Sequence, residues 1–188
     1  ERLPERSKKT QSLILTPTRE LAVQVSEEIS SLKGGKRLEV FPIYGGTSIE
    51  NQIKKLKSGI DIVVGTPGRV IDHINRKTLD LSEVKYLILD EADEMLNMGF
   101  IEDVEEILKS TSLEKQVLLF SATMPKEILS IAKKYMGKYE MVAVEKENLT
   151  TDLTDQIYFE VSESDRFEAL CRIIDIESDF YGMVFCRT

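Results

Sequence analysis

Two carboxylates stand directly behind a solid apolar run: Asp90 and Glu91 follow Leu87-Ile88-Leu89, with Asp93 close behind. A carboxylate at the end of a buried strand is a place to hold hydrated Mg2+, which keeps its waters and leans on substrate phosphates more than on protein oxygens. A neighbouring carboxylate can orient or deprotonate a water that attacks a phosphoryl group. Asp93 is placed to reach a hydroxyl on an adjacent strand end, and Ser121 and Thr123, behind Leu118-Leu119-Phe120, are the hydroxyls on offer. Acidic residues also gather at helix N-termini because the macrodipole favours them, so a structural reading of this cluster stands beside the chemical one.

A second group of residues suits anions. Pro17-Thr18-Arg19 follows Leu13-Ile14-Leu15, and Thr66-Pro67-Gly68-Arg69 follows Ile62-Val63-Val64-Gly65. Each offers a threonine hydroxyl, backbone amides near a helix start, and a guanidinium, which together suit phosphate oxygens. Gly45-Gly46 follows a third apolar run and lets a backbone approach closely. Groups of this kind contact phosphate and sugar rather than base edges, which points to sequence-independent binding. Thr-Pro-Gly also makes a good turn and Gly-Gly a good loop, so each piece alone has a plain structural reading.

Strands at Ser12–Leu15, 39–43, 60–64, Tyr86–Leu89, 116–120 and 141–144 would position these groups. Most are solid apolar blocks, the pattern of strands covered on both faces of a parallel sheet. Helical spacing links Leu21, Val25, Ile29 and Leu32, and again Ile49, Ile53 and Leu56. Thr47 and Glu50 form a capping-box pattern, and Pro125 suits a first helical position. Alternation of this kind predicts a doubly wound α/β sheet with right-handed crossovers, whose ligands lie beyond the strands' carboxyl ends. The polar stretch near 145–155 reads as a linker. Beyond it, a strand over 156–161, a helix with Phe167, Leu170, Cys171 and Ile174 on one face, and an apolar run at 183–186 read as the opening of a second domain.

The 188 residues are 41% hydrophobic and 31% charged, ordinary globular composition that argues against disorder. No apolar run approaches the ~20 residues of a membrane span, and Glu1-Arg2-Leu3-Pro4 is no signal peptide. Two cysteines, Cys171 and Cys186, and one histidine exclude a disulfide framework and a Cys/His zinc site, which fits a reducing cytoplasm. The net charge of −8 speaks against holding nucleic acid by bulk charge, but its distribution is uneven. Residues 1–80 carry 14 basic and 10 acidic side chains, 81–150 carry 8 and 14, and 151–188 carry 3 and 9. An anion is therefore expected on the first segment and a divalent cation near the second. His73 reads as a helix-surface or half-buried residue, Cys171, Met95 and Met98 as packing, and Lys54, Lys55, Lys57, Lys133 and Lys134 as solvated helix faces.

Taken in order, the pieces resemble the DEAD-box RNA helicases. Asp90-Glu91-Ala92-Asp93 looks like the family's namesake motif, the Walker B equivalent. Pro17-Thr18-Arg19-Glu20-Leu21-Ala22-x-Gln24 is similar to motif Ia, Gly45-Gly46 to the double glycine, Thr66-Pro67-Gly68-Arg69 to motif Ib, and Ser121-Ala122-Thr123 to motif III. Val184-Phe185-Cys186-Arg187-Thr188 looks like the start of motif IV. The resemblance implies a RecA-like parallel sheet over 1–145, a linker at 146–155, and the beginning of a second RecA-like domain at 156–188. It implies ATP and Mg2+ as cofactors, with Asp90 holding the metal, Glu91 activating water, both facing the nucleotide, and Asp93 coupled to Ser121 and Thr123. It implies that Pro17, Thr18, Arg19, Gly45, Gly46, Thr66, Pro67, Gly68 and Arg69 grip RNA, single-stranded or a short duplex, without sequence preference. It implies no membrane, and protein partners met through flanking regions.

The family's phosphate loop, GxxxxGKS/T, should lie about one helix upstream of Pro17, and an adenine-reading segment further upstream. Neither pattern occurs in these 188 residues, and the second domain's arginine fingers would follow Thr188. The expectation is an internal piece of a longer helicase, without ATPase or unwinding activity on its own. Two other readings compete. A catalytically inactive RNA-binding module would have no need of Asp90, Glu91, Ser121 and Thr123. A metal-dependent phosphohydrolase or nuclease using Asp90, Glu91 and Asp93 would leave the anion-binding pieces unexplained.

Overall fold

A computed structural model describes residues 3, 9–144, 155, 157–176 and 178–186. The chain divides into two compact units, Glu1–Met141 and Val142–Thr188. Most of the 146–155 linker reading, and Gln156, Arg187 and Thr188, lie outside the described residues.

The first unit is a five-stranded sheet with the spatial order β2-β3-β1-β4-β5, every pairing parallel. Its strands are β1 (Ser12–Leu15), β2 (Val40–Ile43), β3 (Ile62–Gly65), β4 (Tyr86–Leu89) and β5 (Gln116–Leu119). Helices fill the crossovers: α1 (Arg19–Leu32), α2 (Ile49–Lys57), α3 (Pro67–Asn75), α4 (Ala92–Asn97), α5 (Ile101–Ser110) and α6 (Lys126–Tyr135). Parallel neighbours need such long crossovers, which is why apolar blocks and amphipathic stretches alternate in the sequence. Pro42, which has no N–H to give a ladder, sits in edge strand β2.

Period two divides the strands between two cores. Leu13, Leu15, Val63, Leu87, Leu89 and Val117 pack with Val70 of α3, Met95 of α4, Ile107 of α5 and Ile128 of α6. Ile14, Ile62 and Val64 turn to the other face, against Ala22, Val25 and Ile29 of α1. Residue-for-residue pairing aligns Ile43, Gly65, Leu15, Leu89 and Leu119, so all five strands end in one row.

Several expectations need correction. The stretch 141–144 forms no strand and is exposed. In the second unit α7 (Arg166–Ile176) forms as expected, with Leu170, Cys171 and Ile174 half-buried but Phe167 exposed. No strand forms over 157–161 or 183–186, and Tyr158 and Phe185 are exposed. A strand exists only with a hydrogen-bonded neighbour, and among the described residues of this unit none offers one. The cap of α2 is Ser48, whose hydroxyl accepts from the Asn51 amide, not Thr47. Pro125 is the residue before α6 and not its first. His73 is fully buried, and Met98 is largely exposed.

Candidate functional site

The row of strand ends continues outward by one residue on each strand. The Thr66 amide donates to Ile43 O, Thr16 to Gly65 O, Asp90 to Leu15 O and Phe120 to Leu89 O. The rim therefore reads, across the sheet, Tyr44, Thr66, Thr16, Asp90, Phe120. Thr16 is wholly buried and separates two chemically different halves.

The half beyond β4 and β5 is acidic. Asp90 Oδ1 accepts from the Glu91 amide at 3.1 Å. Glu91 precedes α4 with φ 50° and ψ 53°, the left-handed region, which costs a non-glycine residue energy. Asp93 Oδ2 accepts from both the amide and the hydroxyl of Thr123, at 2.9 and 2.8 Å. The Asp93 amide donates to Ser121 Oγ at 3.1 Å, and that hydroxyl donates onward to Thr123 O. Sequence reasoning thus placed Asp93, Ser121 and Thr123 together, and the structure joins all three. Burial pushes the Asp93 carboxyl up, but hydrogen bonds from Thr123 and Ser121 outweigh it and hold the group below its ordinary value. Asp90, Glu91, Asp93, Glu94, Phe120 and Ser121 line an open cleft of about 410 Å3.

Among the described residues no group of three or more His, Cys, Asp or Glu side chains could cage a metal. Hard carboxylate oxygens on Asp90 and Glu91, without a full cage, are the donor set that suits a hydrated Mg2+ shared with phosphates. Asp93 is already committed to Thr123.

The half beyond β2, β3 and β1 is neutral to basic. Thr18 caps α1 by accepting from the Leu21 amide. Exposed Arg19 then lies over the Tyr44 ring, 5.2 Å from its centroid, a cation–π arrangement that leaves the guanidinium at the surface. Gly46, at φ 79°, sits beside it: a β-carbon there would stand 4.0 Å from Arg19 Nη1. Thr66 makes no side-chain cap, so the first turn of α3, with exposed Gly68, keeps its amides available to an anion. Pro17 and Pro67 are buried and set the entry into α1 and α3. Gly65 is required by space, since a β-carbon would meet Ile43 Cγ1 at 2.7 Å and Ile43 O at 2.8 Å.

Arg69 turns inward. Its Nη1 donates to Thr47 O at 3.2 Å and to Gln52 Oε1 at 3.1 Å, and its side chain is only 14% exposed. Tyr44 and Gln52 escaped the sequence reading. The signal for Tyr44 was an aromatic ring at a strand end directly before two glycines. For Gln52, a lone polar residue among apolar helix positions, the sequence carries none.

A model of the DEAD/DEAH box helicase family matches residues 1–131. The chain belongs to this family. It is 60% identical over 178 residues to a protein of Methanocaldococcus jannaschii named a probable ATP-dependent RNA helicase, covering 95% of this chain and 47% of that one. It is 50% identical over 188 residues to the DEAD-box ATP-dependent RNA helicase CshA of Geobacillus kaustophilus, spanning all of this chain and 40% of that one. Among solved structures, it is similar to a DEAD box protein from the hyperthermophile Methanococcus jannaschii, with TM-score 0.73 and 58% identity, over 99% of this chain and 50% of that one. The yeast DEAD-box splicing factor Prp28 matches with TM-score 0.65 and 37% identity, over 72% and 34%. This helicase-family chain therefore spans about half the length of such relatives or less, and the RecA-like sheet is the fold they share with it.

Proposed function

We propose that the chain supplies the RNA-holding surface and the nucleotide-facing carboxylates of an ATP-dependent RNA helicase, which parts short duplexes as it hydrolyses ATP. One observation carries this reading: a single in-register rim sets an anion-accepting half beside a carboxylate half, separated only by buried Thr16. In the first half, Arg19, Thr18, Gly45, Gly46, Thr66 and Gly68 meet the sugar-phosphate backbone of RNA, while Pro17, Pro67 and Arg69 shape the surface from beneath. Contacts of this type carry no base readout. The few groups involved lie in the segment with a basic excess, so the acidic total is no obstacle to RNA.

In the second half, Asp90 and Glu91 would hold Mg2+ and orient the hydrolytic water. Bound there with ATP, Mg2+ would neutralise charge developing on the transferred phosphoryl group. Glu91 would accept the water's proton, and it lines the same cleft as Asp90 and Phe120. Asp93, tied to Thr123, links the carboxylate loop to the segment after β5. A pure RNA binder has no use for a strained Glu91, and in a nuclease built on three carboxylates Asp93 would have only Oδ1 to offer, since Oδ2 takes both hydrogen bonds from Thr123. Residues 1–145, 146–155 and 156–188 are our reading of first domain, linker and second-domain start. Free thiols at Cys171 and Cys186 suit the cytoplasm.

The test is paired. In the intact helicase, Arg19→Ala should weaken binding of a labelled oligouridine about three- to tenfold and lower the salt dependence by about one phosphate contact. The 188-residue chain alone should bind RNA without RNA-stimulated phosphate release. Metal-dependent RNA cleavage without nucleotide would instead establish the nuclease reading.

A further inference from the structure

We infer that Gln52 is a positioning residue that clamps the Tyr44–Thr47 loop in its RNA-receiving shape, through a buried hydrogen-bond hub completed by Arg69 and His73. The inference rests on the RNA reading of that loop and deepens it.

Gln52 lies on α2 and is 5% exposed. A side-chain amide has two N–H donors and two acceptor lone pairs. All four are used. Nε2 donates to Tyr44 O at 3.0 Å and to Thr47 Oγ1 at 2.8 Å. Oε1 accepts from Arg69 Nη1 at 3.1 Å and pairs with His73 Nε2 at 3.0 Å. The orientation of the amide follows from its partners: a carbonyl can only accept, and a guanidinium can only donate.

The amide in turn fixes the histidine. Nε2 faces a carbonyl oxygen and must carry the proton, so Nδ1 is left as an acceptor 2.8 Å from Thr78 Oγ1, whose one proton it shares with His73 O at 3.1 Å. His73 is wholly buried, and burial, reinforced by the Arg69 charge, holds it neutral by lowering its pKa. Gln52 thus has all four of its bonding positions filled, the condition under which a buried polar network rigidifies its surroundings.

Beyond the Tyr44 ring, which packs against the α1-side core and lies under Arg19, the loop has little else to hold it. Gly45, Gly46 and Thr47 are exposed, and a β-carbon at Gly45 would meet nothing within 4 Å. Its anchors are Tyr44 O and Thr47 Oγ1 on Gln52, and Thr47 O on Arg69. An exposed glycine pair without these anchors must be ordered when RNA binds, and that ordering is subtracted from affinity. Arg69 therefore serves RNA binding through the loop and not by touching phosphate.

The experiment uses the intact helicase, labelled oligouridine anisotropy, and amide relaxation of Gly45 and Gly46. Gln52→Glu keeps an acceptor toward Arg69 and His73 but loses both donors to the loop. It should weaken RNA binding about tenfold through the two hydrogen bonds it removes, and raise glycine amide mobility before any RNA is added. Thr47→Val, an exposed change that leaves the hub's core intact, should weaken binding about two- to threefold with the melting temperature unchanged, and secures the test if the first variant fails to fold. Because both act through one hydrogen bond, the double variant should be no worse than Gln52→Glu. Nitrogen NMR should find His73 protonated at Nε2. A folded Gln52→Glu with wild-type affinity and rigid glycine amides would overturn the clamp, as would additive variants or an Nδ1-protonated ring. If Arg19→Ala leaves RNA affinity unchanged, the RNA reading falls instead, and the clamp is then judged on the glycine amides alone.

Discussion

The two halves of the rim grow from the same sheet but are held in different ways. On the β2–β3–β1 side a buried network of Gln52, Arg69 and a neutral His73 fixes the loop, and the exposed surface is glycine, hydroxyl and one stacked arginine. On the β4–β5 side there is no such substructure: Glu91 is held in a costly backbone conformation, and Asp93 is tied at the surface to Thr123. A surface that binds a polyanion gains from being preset. A site that exchanges protons with water gains from carboxylates that stay open to the cleft.

The largest effect should separate chemistry from binding. In the intact helicase, Glu91→Gln should lower RNA-stimulated phosphate release by about 10²–10⁴-fold, the range of a lost general base. Oligouridine affinity should stay unchanged, and an equal loss in both would erase the distinction between the halves. Next, Gly65→Ala forces a β-carbon into Ile43 and Val70. It should cost roughly 1–3 kcal/mol in urea denaturation, and more on the RNA side than on the carboxylate side by local amide exchange. Glu91→Gly should do the reverse, raising stability by about 1 kcal/mol as the strain is relieved, while abolishing turnover.

Acid should reveal the smallest difference. His73 and Asp93 both have folded-state pKa values below their ordinary ones of 6.5 and 3.8. An unfolded chain takes up a proton that buried His73 refuses, so stability falls as pH drops below 6.5, until the folded pKa is passed. Arg69 and Arg76 oppose the added charge there, and Asp72 partly offsets them. Ionised Asp93 contributes above 3.8, and that contribution is lost as pH falls through its folded value. Amide exchange followed from neutral pH downward should therefore show the RNA side loosening before the carboxylate side.

The sheet order aside, most of the sheet was legible, because buried parallel strands must be apolar throughout and their ends must carry whatever function there is. Ser121 and Thr123 could be named as hydroxyls within reach of Asp93, but their coupling to it was implied by the family resemblance, and it is the pairing of β4 with β5 that brings these strand ends together. What escaped depended on neighbours. The apolar stretches at 141–144, 157–161 and 183–186 have strand composition but no described partner to pair with. Arg69 has the type of a phosphate ligand but is claimed by Gln52 and Thr47. His73 has the type of a surface residue but is claimed by Gln52 and Thr78. Side-chain type states what a group can bond, and only the fold states which offer it accepts.

Strand β1 pairs residue-for-residue on both sides, Leu15 against Gly65 and against Leu89. It cannot slip by one position without exchanging the side chains that fill the two cores, Leu13 and Leu15 on one face and Ile14 on the other. Thr66 and Asp90 are therefore held two strand widths apart, about 10 Å, as if on the marks of a ruler. A ligand pulling on either half meets a scale that does not stretch. In the proposed helicase, a message between RNA and nucleotide would then travel in the parts mounted on that scale, the loops and side chains, while the sheet supplies the fixed distance against which their movement counts.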